Sequence, residues 1–299
     1  MKEEKKGDIY IIIGTAVWSL FPVITVLGLK GIPSTLALFW TTVFATIFFL
    51  VIVATRNRWK ELLNVTVWKY EIAVVIFIGI LYYGLYFYGL SKTTPANGAI
   101  VALFEIVTSY VFFQLFRGEH FSRKQIIGSL FAVAGALVVL VPRSGAFQIG
   151  DLAIFFATFF PPVGNWFQKK ARELASSETT MFIRNLLTIP VLYLALIFVL
   201  KTNPINFNIS QVLIWLLING MVIMGVTKIL WLEGIHRMTV TKALAFSSLA
   251  PLGTMFFSWL FLHQSPTPVQ FLSLPLLVVG TFFLTGVSFK KSNANIVSI

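Results

Sequence analysis

The sequence predicts an all-α polytopic membrane protein: about ten transmembrane helices arranged as two inverted five-helix repeats. Three observations predict it. Of 299 residues, 57% are apolar and only 11% charged, where a soluble domain carries roughly 25% charged residues. A soluble fold of this size has too little interior to hide that much apolar surface, and a disordered chain needs the opposite bias. Apolar runs recur at about the 20-residue length that crosses a bilayer core. Finally, the two halves of the chain match each other at an offset of about 145 residues.

The first span, residues 9–28, follows Lys2, Lys5 and Lys6. Its apolar stretch is too long for a signal-peptide core and lacks a small-residue cleavage site, so it reads as a retained helix. Trp18 falls near its middle. The second span, 33–54, holds Trp40, and the third, 71–90, holds Tyr82, Tyr83 and Tyr86. The fourth, 95–116, carries Glu105 close to its centre, and the fifth covers 125–141. Pro161 and Pro162 interrupt the sixth, 151–168. Arg184 lies about six residues into the seventh, 179–200, and Lys228 about as far from the end of the eighth, 210–234. The ninth and tenth cover 241–262 and 269–288. Prolines at 22, 161, 162, 190, 251 and 275 each remove a helix hydrogen bond and permit a kink. The longest polar linkers, 56–69 and 169–178, are too short for a soluble domain.

The net charge of +12 would point to nucleic acid in a soluble chain. Here it reads as orientation. With the N-terminus inside, the cytoplasmic segments hold Lys2, Lys5, Lys6, Arg56, Arg58, Lys60, Lys69, Arg117, Arg123, Lys124, Lys169, Lys170, Arg172, Arg237, Lys290 and Lys291. The outer loops hold only Lys30, Lys92, Arg143 and Lys201. Positive charge collects on the cytoplasmic side of membrane proteins, so both termini are expected there, in a cell membrane, and no nucleic-acid partner is expected.

The repeat shows in particular pairs. Gly89-Leu90-Ser91-Lys92 falls on Gly234-Ile235-His236-Arg237, and Gly135 on Gly280, at an offset of 145. Gly7-Asp8 falls on Gly150-Asp151 at 143, and Thr35 on Thr179 at 144. Five spans per half is an odd number, so the halves, 1–145 and 146–299, must lie in opposite orientations. Inverted repeats mark secondary transporters, with the substrate near the midplane where the repeats meet. A duplicated scaffold without transport is the plain alternative.

With these features the chain resembles the drug/metabolite transporter superfamily, in particular its EamA-type bacterial members. Gly14-Thr15-Ala16-Val17-Trp18-Ser19 is similar to the family's first-span pattern. Gly89 to Ala96 resembles its third-to-fourth span junction, and Phe104-Glu105 with Gly118-Glu119-His120-Phe121-Ser122 resembles its fourth-span signature. The likeness covers nearly the whole chain. Ile106 stands where the family often has Pro, His263-Gln264 replaces Gly-Glu, and the Arg common in the second span occurs only in the seventh, as Arg184. The resemblance implies an alternating-access carrier of small metabolites, most often amino acids or related compounds, usually moved outward.

Charges inside membrane spans are costly and mark sites by default. Glu105 is too short to reach an interface, so it must be protonated, paired or facing a watery cavity. It is a candidate for holding a substrate amine or carrying a proton, against the plain reading of a packing hydrogen bond. Arg184 and Lys228 are candidates for a carboxylate or phosphate, though either can snorkel on its long stem. Repeat symmetry sets Arg184 against Trp40, and Lys228 against Tyr83. Trp18, Trp40, Tyr82, Tyr83 and Tyr86 are candidate cavity walls, because rings stack on cationic or aromatic ligands. Glu233 pairs most simply with Arg237, four residues on.

Catalytic machinery is not evident. There is no HExxH, GxSxG, P-loop or dinucleotide motif, and no cysteine, so neither enzyme activity, metal nor cofactor is expected. The expected partners are a small-molecule substrate and membrane lipid, for a monomer or weak homodimer. Within transport, a proton-coupled exporter of lipophilic cations working through Glu105 is the second reading. From another class, a scaffold or a lipid-handling enzyme remains.

Overall fold

A computed structural model describes residues 2–117, 123–140, 148–202, 208–235, 237, 243 and 246–285. The Gly118–Ser122 motif, Arg143, His236, Lys242, Lys290 and Lys291 lie outside the described residues. Every regular element among the described residues is helical. Six helices are long and apolar enough to cross a membrane: Lys5–Gly28, Ser34–Thr55, Val65–Leu90, Pro95–Phe112, Ser177–Lys201 and Leu213–Gly234, here spans 1, 2, 3, 4, 7 and 8. Shorter apolar helices at Ile126–Val139, Ala250–Leu262 and Pro268–Phe283 are spans 5, 9 and 10. The pair Ile149–Ala157 and Pro161–Arg172 forms span 6. Exposed Ile, Leu and Phe side chains cover the outer surface, as lipid requires.

Span 3 starts six residues earlier than its apolar run. The Asn64 side chain accepts the Thr66 amide at 3.1 Å, capping a helix that begins at Val65. Such a cap satisfies an orphan N–H and fixes the start. Glu71 thereby moves from the edge of the span to its second turn.

Three spans in each half are interrupted at corresponding places. Span 1 breaks between Trp18 and Phe21, and span 6 between Ala157 and Pro161. Span 4 turns at Leu103 between Ala102 and Phe104, and span 9 resumes at Ala250 after a turn at Ser248 and Leu249. Spans 3 and 8 wind as π-helix over Val75–Tyr82 and Ile218–Val226. Pro22, Pro161 and Pro251 each open a segment, where a missing N–H leaves nothing unpaired. They restart helices rather than kink them, whereas Pro190 and Pro275 sit inside continuous ones.

A broken helix frees backbone carbonyls, and in lipid these need partners. The Thr254 hydroxyl of span 9 donates to the Ser19 carbonyl at 2.7 Å. Reciprocally, the Thr108 hydroxyl of span 4 donates to the Thr158 carbonyl of span 6 at 2.5 Å. The same solution is used twice.

The halves interlock. Span 1 packs on span 8, span 6 on span 3, and spans 2, 4 and 5 on spans 7, 9 and 10. Glycines allow the closest approaches. A Cβ on Gly150 would lie 2.5 Å from the Gly89 carbonyl, and one on Gly234 would lie 2.4 Å from Ile11 with the Gly7 carbonyl at 3.6 Å. Gly135 and Gly280 do the same between spans 5 and 10. The glycines that match in sequence therefore do not pack on each other; each packs on a partner from the opposite half. The spans of each half thus make their most extensive contacts with spans of the other half.

Candidate functional site

The interruptions surround a central cavity of about 1270 Å³, larger than the ~300–1,000 Å³ of ordinary ligand pockets. It draws walls from spans 1, 3, 4, 6, 7, 8 and 9. At one end the lining residues Asn165, Lys169, Arg172 and Glu173 of span 6 are exposed. Toward the other end an aromatic plug closes it. Phe21 stacks on Trp18 with centroids 4.7 Å apart and planes at 11°. Phe21 also meets Tyr83, Tyr86 and Phe87 at 6.3, 5.5 and 6.1 Å.

Glu105 opens the second segment of span 4, just beyond the turn at Leu103, and lines the cavity half-buried. It lies within hydrogen-bonding reach of the Tyr82 hydroxyl and within Coulombic range of Lys228. Lys228 itself sits with its Nζ 4.5 Å from the Trp18 ring centroid. Of the candidates, Glu105, Arg184, Lys228, Trp18, Tyr82, Tyr83 and Tyr86 all line the cavity. Trp40 does not. It packs against Phe39 and Phe44 of its own helix. Glu233 bonds to Arg237, as the spacing predicts.

Arg184 is only 3% exposed. Its Nε and Nη2 donate to the Asn185 Oδ1 at 3.2 and 3.0 Å. Close by, Glu71 is fully buried, and its Oε1 accepts the Gln168 amide at 2.9 Å. Arg184 acts on it electrostatically. Glu71, Gln168 and Asn185 escape the sequence reading. The first two fall at the ends of apolar runs, and the last is a neutral neighbour of a more conspicuous arginine. The Asn64 cap is the signal that would have placed Glu71 inside the membrane.

Both ends of the bundle are tied by polar contacts. At the open end Arg56 pairs with Glu178 at 3.0 Å and Arg58 with Glu61 at 3.2 Å. Glu61 also accepts the Ser176 amide at 2.7 Å. Burial pushes the Glu61 carboxyl up, but the Ser176 and Thr179 hydrogen bonds and Arg58 outweigh it and hold it below its ordinary value. At the closed end Asp151 is buried and accepts from Thr93 and from the Asn97 amide, the latter at 3.2 Å. Gln270 donates to Asn97 at 2.7 Å, joining span 10 to the same network. Among the described residues no three His, Asp or Glu gather as metal ligands.

Comparison with known proteins adds an independent view. The sequence profile of the EamA-like transporter family matches twice, over residues 5–141 and 148–286. A Bacillus subtilis (strain 168) protein named uncharacterized transporter YyaM is 24% identical over 259 residues, 81% of each chain. A Synechocystis protein, uncharacterized transporter sll1164, is 22% identical over 213 residues, 66% of this chain and 59% of that one. One solved crystal structure superposes with a TM-score of 0.67 at 18% identity, over 94% of this chain and 96% of the other, which is a likeness of fold.

Proposed function

Because the chain belongs to the EamA-like transporter family, and is thus a multi-pass membrane transporter and not an enzyme, we propose that it carries small zwitterionic metabolites, amino acids or related compounds, outward by alternating access. The observation that carries this reading is the mixture of charge on the cavity wall. Lys169, Arg172, Arg184 and Lys228 stand against Glu105 and Glu173. A purely cationic cargo would meet a net positive wall, whereas a zwitterion finds both signs. The ammonium sits beside Glu105 with the tyrosines around it, and the carboxylate lies toward Arg184 and Lys228. Trp18 and Tyr83 line the path.

In this reading the termini and the open end of the cavity face the cytoplasm, in line with the distribution of Lys and Arg. The moving bodies each combine spans of both halves, 1 with 8 and 3 with 6, and the interrupted helices supply the hinges. The second reading, export of lipophilic cations in exchange for protons at Glu105, draws on the aromatic residues around that carboxylate.

Transport of labelled amino acids and of a quaternary ammonium dye into proteoliposomes separates the two. The zwitterion reading expects amino-acid flux that falls in Glu105→Gln and in Arg184→Gln. Dye flux dependent on Glu105 alone, with no amino-acid flux, overturns it. Amino-acid flux unchanged in Glu105→Gln at every pH removes that carboxylate's charge from the mechanism.

A further inference from the structure

Glu71 takes no part in the function proposed above, yet it is the most deeply buried acid among the described residues, with no exposed surface at all. Its Oε1 accepts from Gln168, while its Oε2 is buried with no hydrogen-bond partner. Two neighbours show the same incompleteness: Gln168 Oε1 and Asn185 Nδ2 are also buried and unpaired. Unpaired buried polar groups are expensive and call for an explanation.

Structural need is a poor explanation, because the fold builds the same junction a second time without an acid. Where spans 3, 6 and 7 meet, the polar residues are Glu71, Gln168 and Asn185. Where spans 8, 1 and 2 meet, they are Asn219, Thr25 and Thr41. Gln168 follows Thr25 by 143 residues and Asn185 follows Thr41 by 144, while Asn219 follows Glu71 by 148, about one helical turn further along its span. Asn219 donates to Thr25 at 2.9 Å, whereas in the first junction Gln168, the match of Thr25, is the donor. Thr41 Oγ1 and Asn219 Oδ1 are also buried and unpaired, so the carboxyl is what sets the first junction apart. The neutral junction lies toward the closed end of the bundle and the ionisable one toward the open end.

The charges around Glu71 are few. Span 3 packs there on spans 6 and 7. Span 7 presents Arg184, while its Glu178 is held by Arg56. Span 6 presents neutral Gln168, with Lys169, Lys170, Arg172 and Glu173 toward solvent, and span 3 itself adds Lys69 and Tyr70. Only Arg184 acts appreciably on the Glu71 carboxylate. Arg184 also lines the cavity, and among the described residues its Nη1 has no acceptor. One buried cation thus serves two places, the acid behind it and the cargo in front of it. A cargo carboxylate on Arg184 would leave two anions sharing one cation in a low-dielectric site, which is unfavourable.

We propose that Glu71 is a proton-binding site, and that it takes a proton on Oε2 when a carboxylate occupies Arg184. The proton comes from the cytoplasmic solution through the open cavity and leaves to the water on the side where the carboxylate is released. No bond other than O–H is made or broken. Proton and carboxylate cross in the same direction, so outward flux is driven by the cargo's own accumulated gradient. The proposal rests on the reading of Arg184 as a carboxylate site.

The test uses the full purified chain in weakly buffered detergent at mildly alkaline pH, so that the acid starts ionised, with acetate as the bare carboxylate and a protein-free reference. Thermal stabilisation reads binding, and a pH indicator reads proton uptake. Wild type is expected to be stabilised and to take up about one proton per bound carboxylate. Glu71→Gln is expected to be stabilised by acetate with no proton uptake, and Arg184→Gln to show neither. Stabilisation of wild type without uptake, or uptake surviving in Glu71→Gln, overturns the proton site and leaves the carboxylate reading standing. No stabilisation by acetate or by a mixture of L-amino acids overturns both. If Glu71→Gln fails to fold, Glu71→Asp decides. It is expected to take up the proton with a displaced pH midpoint, and an unmoved midpoint assigns the proton elsewhere.

Discussion

The Lys228 ammonium lies over the face of Trp18, its Nζ 4.5 Å from the ring centroid. The other side of the site joins in, because Trp18 stacks on Phe21 of the aromatic plug and Lys228 acts on Glu105. A cation over a partly desolvated ring is worth about 0.5–2 kcal/mol. A double-mutant cycle of Trp18→Leu and Lys228→Met, read by thermal unfolding in detergent, is expected to give a coupling energy in that range. Additive effects would mean that the lysine merely passes over the ring.

Arg184 and Glu71 make a stronger prediction. Arg184 favours the buried Glu71 carboxylate at a distance and not through a direct ion pair, so its loss is expected to cost about 1–3 kcal/mol. Arg184→Met is expected to be the more damaging single change, and adding Glu71→Gln is expected to recover part of the loss. Denaturation midpoints of the two singles and the double check it. A double variant less stable than Arg184→Met refutes the coupling.

The threonines at the helix breaks are expected to matter more than isosteric replacement usually does. Thr108→Val and Thr254→Val each leave the broken helix with an unpaired carbonyl in the membrane. That costs about 1–3 kcal/mol apiece. Thr55→Val, whose hydroxyl is exposed and bonds to its own helix, is the control and is expected to change little.

Close packing of glycines predicts a graded series. Gly150→Ala drives a methyl group to 2.5 Å from a backbone carbonyl and is expected to destabilise by about 1–3 kcal/mol, the range for overpacking. Gly7→Ala, at the corresponding contact in the other half, finds its nearest atom at 3.0 Å on the Arg237 side chain. Its cost is expected to be smaller, and unfolding in detergent orders the two.

Glu61 gives the pH dependence. Its carboxyl is held below the ordinary value of 4.5 in the folded protein, so the unfolded chain binds the proton more tightly. The stabilisation is fully present above that ordinary value and is lost as pH falls through the lower, folded one. Wild type is therefore expected to lose stability below about pH 4.5 faster than Glu61→Gln. Thermal midpoints against pH for both proteins measure the difference, and parallel curves would exclude the effect.

Much of this architecture is legible in the sequence because lipid leaves few choices. Apolar length marks the spans, and matched glycines such as Gly89 and Gly234 mark the repeat. Glu105, Arg184 and Lys228 stand out because ions are rare in membranes, and all three line the cavity. The illegible part has physical causes. Hydropathy locates a span by its apolar centre, so Glu71 and Gln168 read as the end residues of the runs 71–90 and 151–168, although the helices continue past them to Val65 and Arg172. Period alone does not distinguish π-winding from α-helix, so the interruptions of spans 3 and 8 leave no mark. Trp40 is as conspicuous in sequence as Trp18, but its helix, span 2, contributes nothing to the cavity wall. Pro161 and Pro162 announce a discontinuity without saying that they begin a helix.

The interlocked pairing also has consequences for synthesis. Span 3 enters the bilayer before its closest partner, span 6, has been made, and span 1 waits until nearly the whole of span 8 has been translated. Until then Gly89 and Gly7 face lipid, with open grooves where a helix belongs. A chain ending near residue 145 would be left with both grooves empty, a ready substrate for membrane quality control. The two homologous halves, supplied as separate polypeptides in one cell, hold every missing partner between them.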